Sequence, residues 1–211
     1  ESLQIDNNKL TGNIPESIGN LTVLRTLILG NNELTGTIPA IIGNLTEISY
    51  LNLANNKLSG VISKGIVNLT NLTYLYLYNN QLTGTIPEGI VNLTNLRSLY
   101  LYSNQLTGII PEGIGNLTNL KYLYLHDNKI TGIIPESIMY LTNLSTLDLS
   151  NNQLMGLIPD SLCNLTSTRI ELNNNSLCPS YLECLSESVI GTQDTTKCGY
   201  PQVFKLIPPQ P

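Results

Sequence analysis

Leucine and isoleucine recur along the chain at a fixed distance of 24 residues. Two apolar columns separated by two residues run through the whole repeat, and the last period is one residue shorter. Apolar residues at alternate positions are typical of a short strand with one buried face. The columns therefore predict eight strands, whose central apolar residues are Leu3, Leu27, Leu51, Leu75, Leu99, Leu123, Leu147 and Ile170.

The residues after each predicted strand also keep fixed columns. They form an Asn column from Asn8 to Asn152, a Gly column from Gly12 to Gly156, and an Ile-Pro pair in which Ser63 once replaces proline. The Asn is predicted to be buried and bonded to backbone groups where the chain leaves the strand. Glycine relaxes the backbone there, and proline fixes φ for a return path of short helical turns. Since one unit cannot bury its own apolar face, the units must stack into an α/β solenoid.

This pattern resembles the plant-type leucine-rich repeat, L-x-x-L-x-L-x-x-N-x-L-x-G-x-I-P-x-x-I-G-N-L-T-N, over roughly residues 1–178. The resemblance implies a right-handed superhelix with a parallel β-sheet on its concave face and short 3-10 or irregular return segments. Polygalacturonase-inhibiting proteins and plant receptor ectodomains share this repeat, and in them the strand face commonly binds proteins, peptides or glycans. They usually begin with a cysteine-bearing cap, whereas this chain opens directly in a predicted strand.

The chain divides into three predicted parts. Residues 1–178 form the solenoid of about eight units, 179–199 form a disulfide-bonded C-terminal cap, and 200–211 form an apolar, proline-rich tail. Nothing in the sequence is predicted to cover the outer side of the first unit. The tail is more apolar than expected for a flexible linker.

All four cysteines lie in the last quarter of the chain. An even, clustered set suggests two disulfides and an oxidising compartment, so we expect a secreted or cell-surface protein. Zinc is disfavoured because the spacings are uneven and the only histidine is distant in sequence. Cys163 and Cys184 fall at nearly the same place on successive units, which favours Cys163–Cys184 with Cys178–Cys198 over the two other pairings.

Tyrosine is concentrated on one face of the predicted sheet. With the leucines inward, eight of the eleven tyrosines and the single histidine point to the concave face. Such a field can bind a protein or a carbohydrate, since tyrosine offers a rigid apolar face and a hydroxyl. The alternative is that the tyrosines stack between strands and add stability without a ligand. The candidate ligand-binding residues are Tyr50, Tyr74, Tyr76, Tyr78, Tyr100, Tyr102, Tyr122, Tyr124 and His126.

Nine asparagines stand in N-glycosylation acceptor patterns, which would make the secreted protein a glycoprotein. Six of them belong to the Asn-Leu-Thr of the repeat itself, so the pattern alone explains their presence, and we expect some occupied sites rather than all. The candidates are Asn20, Asn44, Asn68, Asn71, Asn92, Asn116, Asn143, Asn164 and Asn174.

Two threonine columns, from Thr22 to Thr166 and from Thr11 to Thr131, raise ice binding as a minor alternative. Ice binding requires two adjacent columns on one flat face, and these columns are predicted on different sides of the coil. The ordinary interpretation is that the hydroxyls satisfy backbone groups in turns.

Charge and motifs exclude several classes of function. The net charge is -5 without a basic run, which argues against nucleic acid as a partner, and no apolar run reaches the roughly 18 residues of a membrane span. His126 beside Asp127 is the only hint of acid–base chemistry, and no nucleophile motif, metal cluster or phosphate loop accompanies it. The sequence therefore predicts a protein that is not an enzyme and that uses no cofactor or metal.

Two functions remain open. The first is an extracellular recognition protein with a protein or glycan ligand on the tyrosines. The second is a structural subunit that assembles head to tail into a filament, because the first unit is uncovered and the tail carries Val203, Phe204, Leu206 and Ile207.

Overall fold

The structure, a computed structural model, describes residues 1–198. In this part of the chain, eight short parallel strands form one sheet in chain order. Each strand with its return path is one rung, numbered from the N-terminus. The predicted α/β solenoid with its eight strands is confirmed. The strands are Ser2–Gln4, Thr26–Ile28, Tyr50–Asn52, Tyr74–Tyr76, Ser98–Tyr100, Tyr122–Tyr124, Thr146–Asp148 and Arg169–Glu171.

The register of the sheet follows the leucine column. Leu27 pairs with Leu51, and Leu51 pairs with Leu75. The central leucines of these strands have no accessible surface, and they join one continuous core that reaches from Ile14 to Ile190. Successive side chains of a strand point to opposite faces, so the residues flanking each leucine must lie on the outer face of the sheet.

The return path of the first seven rungs contains a five-residue 3-10 helix. Proline stands immediately before six of these helices, in extended conformation or close to it. In rung 3 Ser63 takes the place of proline, and its hydroxyl accepts a hydrogen bond of 3.2 Å from the Gly65 N–H. The helices are Glu16–Asn20, Ala40–Asn44, Lys64–Asn68, Glu88–Asn92, Glu112–Asn116, Glu136–Tyr140 and Asp160–Asn164.

Further three-residue strands pair between rungs just before these helices, a feature that the sequence did not indicate. Three two-stranded parallel pairs occur within residues 1–198. The pairs are Thr11–Asn13 with Glu33–Thr35, Ser59–Val61 with Gln81–Thr83, and Met155–Leu157 with Ser176–Cys178.

The Asn column bonds to backbone groups after the strand, as the sequence predicts, and it also links successive rungs. The Asn56 side-chain N–H group donates to the carbonyls of Leu29, Leu53 and Ala54 at 3.1, 3.2 and 3.2 Å. Its oxygen accepts from the Leu34 N–H at 3.0 Å. One buried amide therefore satisfies backbone groups on two rungs. Asn32, Asn80, Asn104, Asn128, Asn152 and Asn175 repeat this arrangement.

The glycine column is required for two separate reasons. Gly132 has φ +77°, in the left-handed region that glycine tolerates best. In addition, a Cβ at Gly132 would lie 2.8 Å from Cγ2 of Ile109 on the preceding rung. The bare backbone therefore lets an exposed side chain of one rung lie across the next.

The C-terminal part of the described chain closes the solenoid. Cys163 joins Cys184 and Cys178 joins Cys198, with Cα–Cα distances of 5.7 and 5.4 Å, and these are the pairs that the sequence favours. A short helix, Glu187–Ile190, packs its last residue into the core. The division between solenoid and cap at residue 178 stays a prediction, and the tail 200–211 and its proposed role in assembly lie outside the described residues.

Gln193 acts as a further member of the Asn column in this closing segment. Its oxygen accepts from the Leu177 N–H at 3.1 Å, and its nitrogen donates to the carbonyls of Leu172 and Ile190 at 2.9 and 2.6 Å. A glutamine outside the period carries no repeat pattern, which is why the sequence analysis missed it.

Candidate binding face

The strands place an aromatic surface on the side of the sheet opposite the core. Tyr74 and Tyr76 flank the buried Leu75, and the same alternation recurs on neighbouring rungs. Ring contacts connect all nine aromatic residues that the sequence selects. This surface, the tyrosine face, consists of Tyr50, Tyr74, Tyr76, Tyr78, Tyr100, Tyr102, Tyr122, Tyr124 and His126.

The rings stack along the solenoid from one rung to the next. Tyr78 lies on Tyr102 with ring centroids 4.5 Å apart, and Tyr102 lies on His126 at 4.4 Å. Beside this column, Tyr76 stacks on Tyr100 at 4.6 Å, and Tyr100 meets Tyr124 edge-on at 4.7 Å. Both stacked and edge-to-face contacts are favourable arrangements of aromatic rings. The face is therefore a packed layer of rings with little freedom to rearrange.

This packing makes the face less exposed than the sequence suggests. Seven of its tyrosines are half-buried, and only Tyr122 reaches 36% exposure. Ser98 occupies the position that tyrosine holds on both neighbouring rungs, and it is buried beneath the rings, where its hydroxyl interacts with Tyr76 and Tyr100. A smaller residue in a tyrosine column was visible in the sequence, but its burial depends on how the neighbouring rings close over it.

Burial raises the pKa of four tyrosines of the face. It raises the pKa of Tyr50 and of Tyr102 to about 12, with a further contribution from neighbouring tyrosines. Burial raises the pKa of Tyr76 and Tyr100 in the same direction. A tyrosine with the ordinary pKa of 10.0 is already uncharged at neutral pH, and the raised pKa extends this state to higher pH, where the hydroxyls can still both donate and accept hydrogen bonds.

The C-terminal side of the face is acidic. His126 Nδ1 lies 3.1 Å from Asp148 Oδ2 and its Nε2 lies 3.9 Å from Asp127, so the close partner is Asp148 rather than the sequence neighbour. The contact with Asp148 lacks the geometry of a hydrogen bond. The other oxygen of Asp148 accepts from the Ser150 hydroxyl at 2.7 Å. The Ser150 hydroxyl therefore donates to the carboxylate and not to the imidazole.

A shallow depression lies where the aromatic and acidic parts meet, lined by Tyr100, Tyr102, Tyr124 and His126. Within residues 1–198 no group of three or more His, Cys, Asp or Glu is arranged to hold a metal ion. The same part of the chain has no helix with the length and apolarity of a membrane span. Chemically, the face offers aromatic surfaces, neutral hydroxyls and a few carboxylates, a set suited to binding.

The glycosylation candidates lie outside the tyrosine face, and all nine are exposed. Three of them donate their amide, Asn71 to the Thr46 carbonyl at 2.9 Å, Asn143 to the Thr118 carbonyl at 2.8 Å, and Asn174 to Asn151 at 2.6 Å. Which of the nine carry glycans stays a prediction.

Family models match the repeat region along most of its length. A model described as leucine-rich repeat region matches residues 2–108, and one described as leucine rich repeat matches residues 94–154 and 118–177. The chain belongs to the leucine-rich repeat family. Among curated proteins, none matches it.

Solved structures of leucine-rich repeat proteins share the fold. The complex of PEPR1 with AtPEP1 is 39% identical over 84% of this chain, with a TM-score of 0.82. The Arabidopsis receptor kinase HAESA, in complex with the peptide hormone IDA and the co-receptor SERK1, is 32% identical over 84% of this chain, with a TM-score of 0.80. The chain spans only 25% and 30% of those two proteins.

A third similar structure is described as a plant ice-binding protein. It is 27% identical over 92% of this chain, with a TM-score of 0.69, and the match covers 72% of its own length. Within one leucine-rich repeat fold, therefore, the similar proteins differ in what their descriptions say they bind.

Proposed function

We propose that this chain is a non-catalytic recognition module that works outside the cell and binds an extended peptide, or a peptide-like segment of a protein, on the tyrosine face. The observation that carries the proposal is the continuous layer of nine aromatic rings across rungs 3 to 6. Rings that are already packed lose little conformational entropy on binding, and tyrosine is enriched where binding energy concentrates.

The relatives favour a peptide over a glycan. PEPR1 is described in complex with AtPEP1, and HAESA in complex with a peptide hormone. The two disulfides at the C-terminal end agree with an extracellular site of action. A glycan ligand could use the same rings by stacking, so the experiment must present both classes.

The test uses the secreted chain immobilised on a surface, offered a displayed library of random peptides and, in parallel, an array of plant and microbial glycans. Peptides enriched on the wild type should bind at least about fivefold more weakly to Tyr100→Ala, because truncating a central aromatic anchor costs about 1–2 kcal/mol or more. The control is Tyr140→Ala, since Tyr140 is 59% exposed and lies on a 3-10 helix away from the tyrosine face.

The two variants decide the proposal. Binding that Tyr140→Ala retains and Tyr100→Ala loses supports it. Enrichment of glycans alone would replace the peptide by a glycan, and ligands that bind both variants as tightly as the wild type would contradict a role of the tyrosine face.

Ice binding is the second candidate, because a plant ice-binding protein is among the similar structures. The threonines from Thr22 to Thr166 are exposed, but the 3-10 helix of each rung separates them from the column that begins at Thr11. This function would be established instead if the wild type inhibits ice recrystallisation and a triple variant does not. The triple variant combines Thr70→Ala, Thr94→Ala and Thr118→Ala.

A further inference from the structure

A second surface with unusual chemistry lies on the return path, away from the tyrosine face. The residue after each column glycine is apolar and exposed on three successive rungs, with exposures of 53% for Ile109, 36% for Ile133 and 59% for Leu157. Ile109 lies across Gly132 and Ile133 lies across Gly156, so the three side chains form one continuous ridge. Exposed apolar residues that stand alone need no explanation, whereas a continuous ridge of them indicates contact with another molecule.

Two apolar depressions accompany this ridge. The first is bounded by Thr85, Val91 and Ile109 together with Glu88 and Glu112. The second is bounded by Ile133 and Leu157 together with Glu136 and Asp160. Apolar walls and carboxylate side chains therefore line the same openings on neighbouring rungs.

The carboxylates form an acidic column along the ridge. Glu88, Glu112, Glu136 and Asp160 each stand first in the 3-10 helix of their rung, and all four are exposed. None of them takes part in an ion pair within residues 1–198. Four exposed carboxylates on successive rungs make this strip of the surface negatively charged, and one of them, Glu136, also accepts a hydrogen bond of 2.7 Å from the Ser161 hydroxyl.

The apolar and the acidic column overlap on rungs 5 to 7. From rung 1 to rung 4 the ridge position holds Asn13, Thr37, Val61 and Thr85, and Val61 is 59% exposed. In rungs 1 to 3 the position of the acidic column holds Glu16, Ala40 and Lys64. Only from rung 4 onward is the acidic column unbroken, and only from rung 5 is the ridge apolar at every position. On rungs 5 to 7 both columns are therefore complete, and there they line common depressions.

We propose that these rungs dock a cationic, amphipathic segment of another protein. Its lysine or arginine side chains would lie against the acidic column, and its apolar side chains would enter the depressions beside Ile109 and Leu157. Charge complementarity selects a basic partner, and the apolar walls distinguish this partner from a merely basic one. The surface is separate from the tyrosine face, so a peptide ligand there and a second protein here can bind at the same time.

The test uses three synthetic peptides of equal length and the secreted chain. Their repeating units are Lys-Leu-Lys-Gly, Lys-Ser-Lys-Gly and Glu-Leu-Glu-Gly, and binding is measured by fluorescence anisotropy at low and at physiological salt. We expect the first peptide to bind about tenfold more tightly than either of the others, because only it supplies both charge and apolar side chains. A serine peptide that binds as tightly as the leucine peptide would overturn the proposal.

Variants of the chain locate the binding. Glu112→Gln with Glu136→Gln, and separately Ile109→Thr with Leu157→Thr, should each weaken the Lys-Leu peptide by about fivefold or more. Threonine already occupies the ridge position at Thr37 and Thr85, so the second pair should fold normally. The control is Glu16→Gln, in the same column but remote from the depressions, and it should leave binding unchanged.

Three results would contradict the docking surface. The first is unchanged binding in both double variants, and the second is an equal loss of binding in Glu16→Gln. The third is a loss of binding in Tyr100→Ala while both double variants bind normally. The last result would place the peptide on the tyrosine face and leave the proposed function intact.

Discussion

The ring of Tyr78 lies on the ring of Tyr102 with centroids 4.5 Å apart and planes only 7° apart. Tyr102 in turn stacks on His126, so a single side chain bridges rungs 4 and 6. Stacking and binding are therefore compatible roles for the same residues. A packed aromatic layer stabilises the solenoid and, because it is rigid, also offers a preorganised surface to a ligand.

The stabilising role predicts a difference between two substitutions at this position. Tyr102→Ala should lower the free energy of unfolding by about 1–3 kcal/mol, since it removes stacking on both sides. Tyr102→Phe retains the ring and should stay close to the wild type. Denaturant unfolding followed by circular dichroism measures both, and equal stabilities of all three proteins would show that the rings do not support the rungs.

The buried amide of Asn56 should contribute more to the free energy of unfolding than the side chain of an exposed asparagine. Asn56→Ala leaves the Leu34 N–H and several carbonyls without their partner, and we expect a loss of about 2–4 kcal/mol. Asn92→Ala is the control, because Asn92 is exposed. If both variants unfold at the same denaturant concentration, the Asn column does not hold the rungs together.

A substitution at one position in the turn after the strand should raise the stability of the fold. Ser103 has φ +52°, where most other rungs place asparagine, and asparagine tolerates this conformation better than serine. The side chains of Asn55 and Asn79 also form a hydrogen bond of 2.6 Å between rungs, which Ser103 does not continue. Ser103→Asn should therefore raise stability by about 0.5–1 kcal/mol, and the reverse exchange Asn79→Ser should lower it by a similar amount. A loss of stability in Ser103→Asn would argue against both reasons.

The period of the sequence predicts the parts of the fold that repeat. The strand centres from Leu3 to Ile170, the register of the sheet and the role of Asn56 all follow from columns of identical residues, since each rung meets the same neighbours. The selection of nine aromatic residues on one face follows from alternation along a strand.

The remaining features depend on contacts between particular side chains. The closing of rings over Ser98, the pairing of His126 with Asp148, and the use of Gln193 as the last member of the Asn column are set by packing at single rungs. The repeat pattern does not predict these features, because each of them occurs only once. The same holds for the depressions beside Ile109, which depend on where side chains lie across the next glycine.

The raised pKa values of the tyrosine face predict a loss of stability in alkali. The ordinary pKa of tyrosine is 10.0, and in the folded chain that of Tyr50 and Tyr102 is raised to about 12. These groups add no pH dependence below their unfolded pKa, where both states are protonated. Above it the unfolded chain loses its protons first, so stability should fall as the pH rises from about 10 to about 12.

Tyrosinate absorbance should accordingly show a late-titrating group, and Tyr102→Phe should make the alkaline loss of stability shallower. Titration of every tyrosine in one step at its ordinary pKa would contradict the burial of these hydroxyls.

Footprinting of the tyrosine rings by hydroxyl radicals, with and without a peptide selected on the wild-type chain, tests the role of the tyrosine face most directly. Tyr76, Tyr100 and Tyr124 lie at its centre, whereas Tyr140 lies outside it, so one sample contains both the site and its control. Binding on the tyrosine face predicts that the peptide protects the three central rings and leaves oxidation of Tyr140 unchanged. Protection of Tyr140 with undiminished oxidation of Tyr76, Tyr100 and Tyr124 would contradict it.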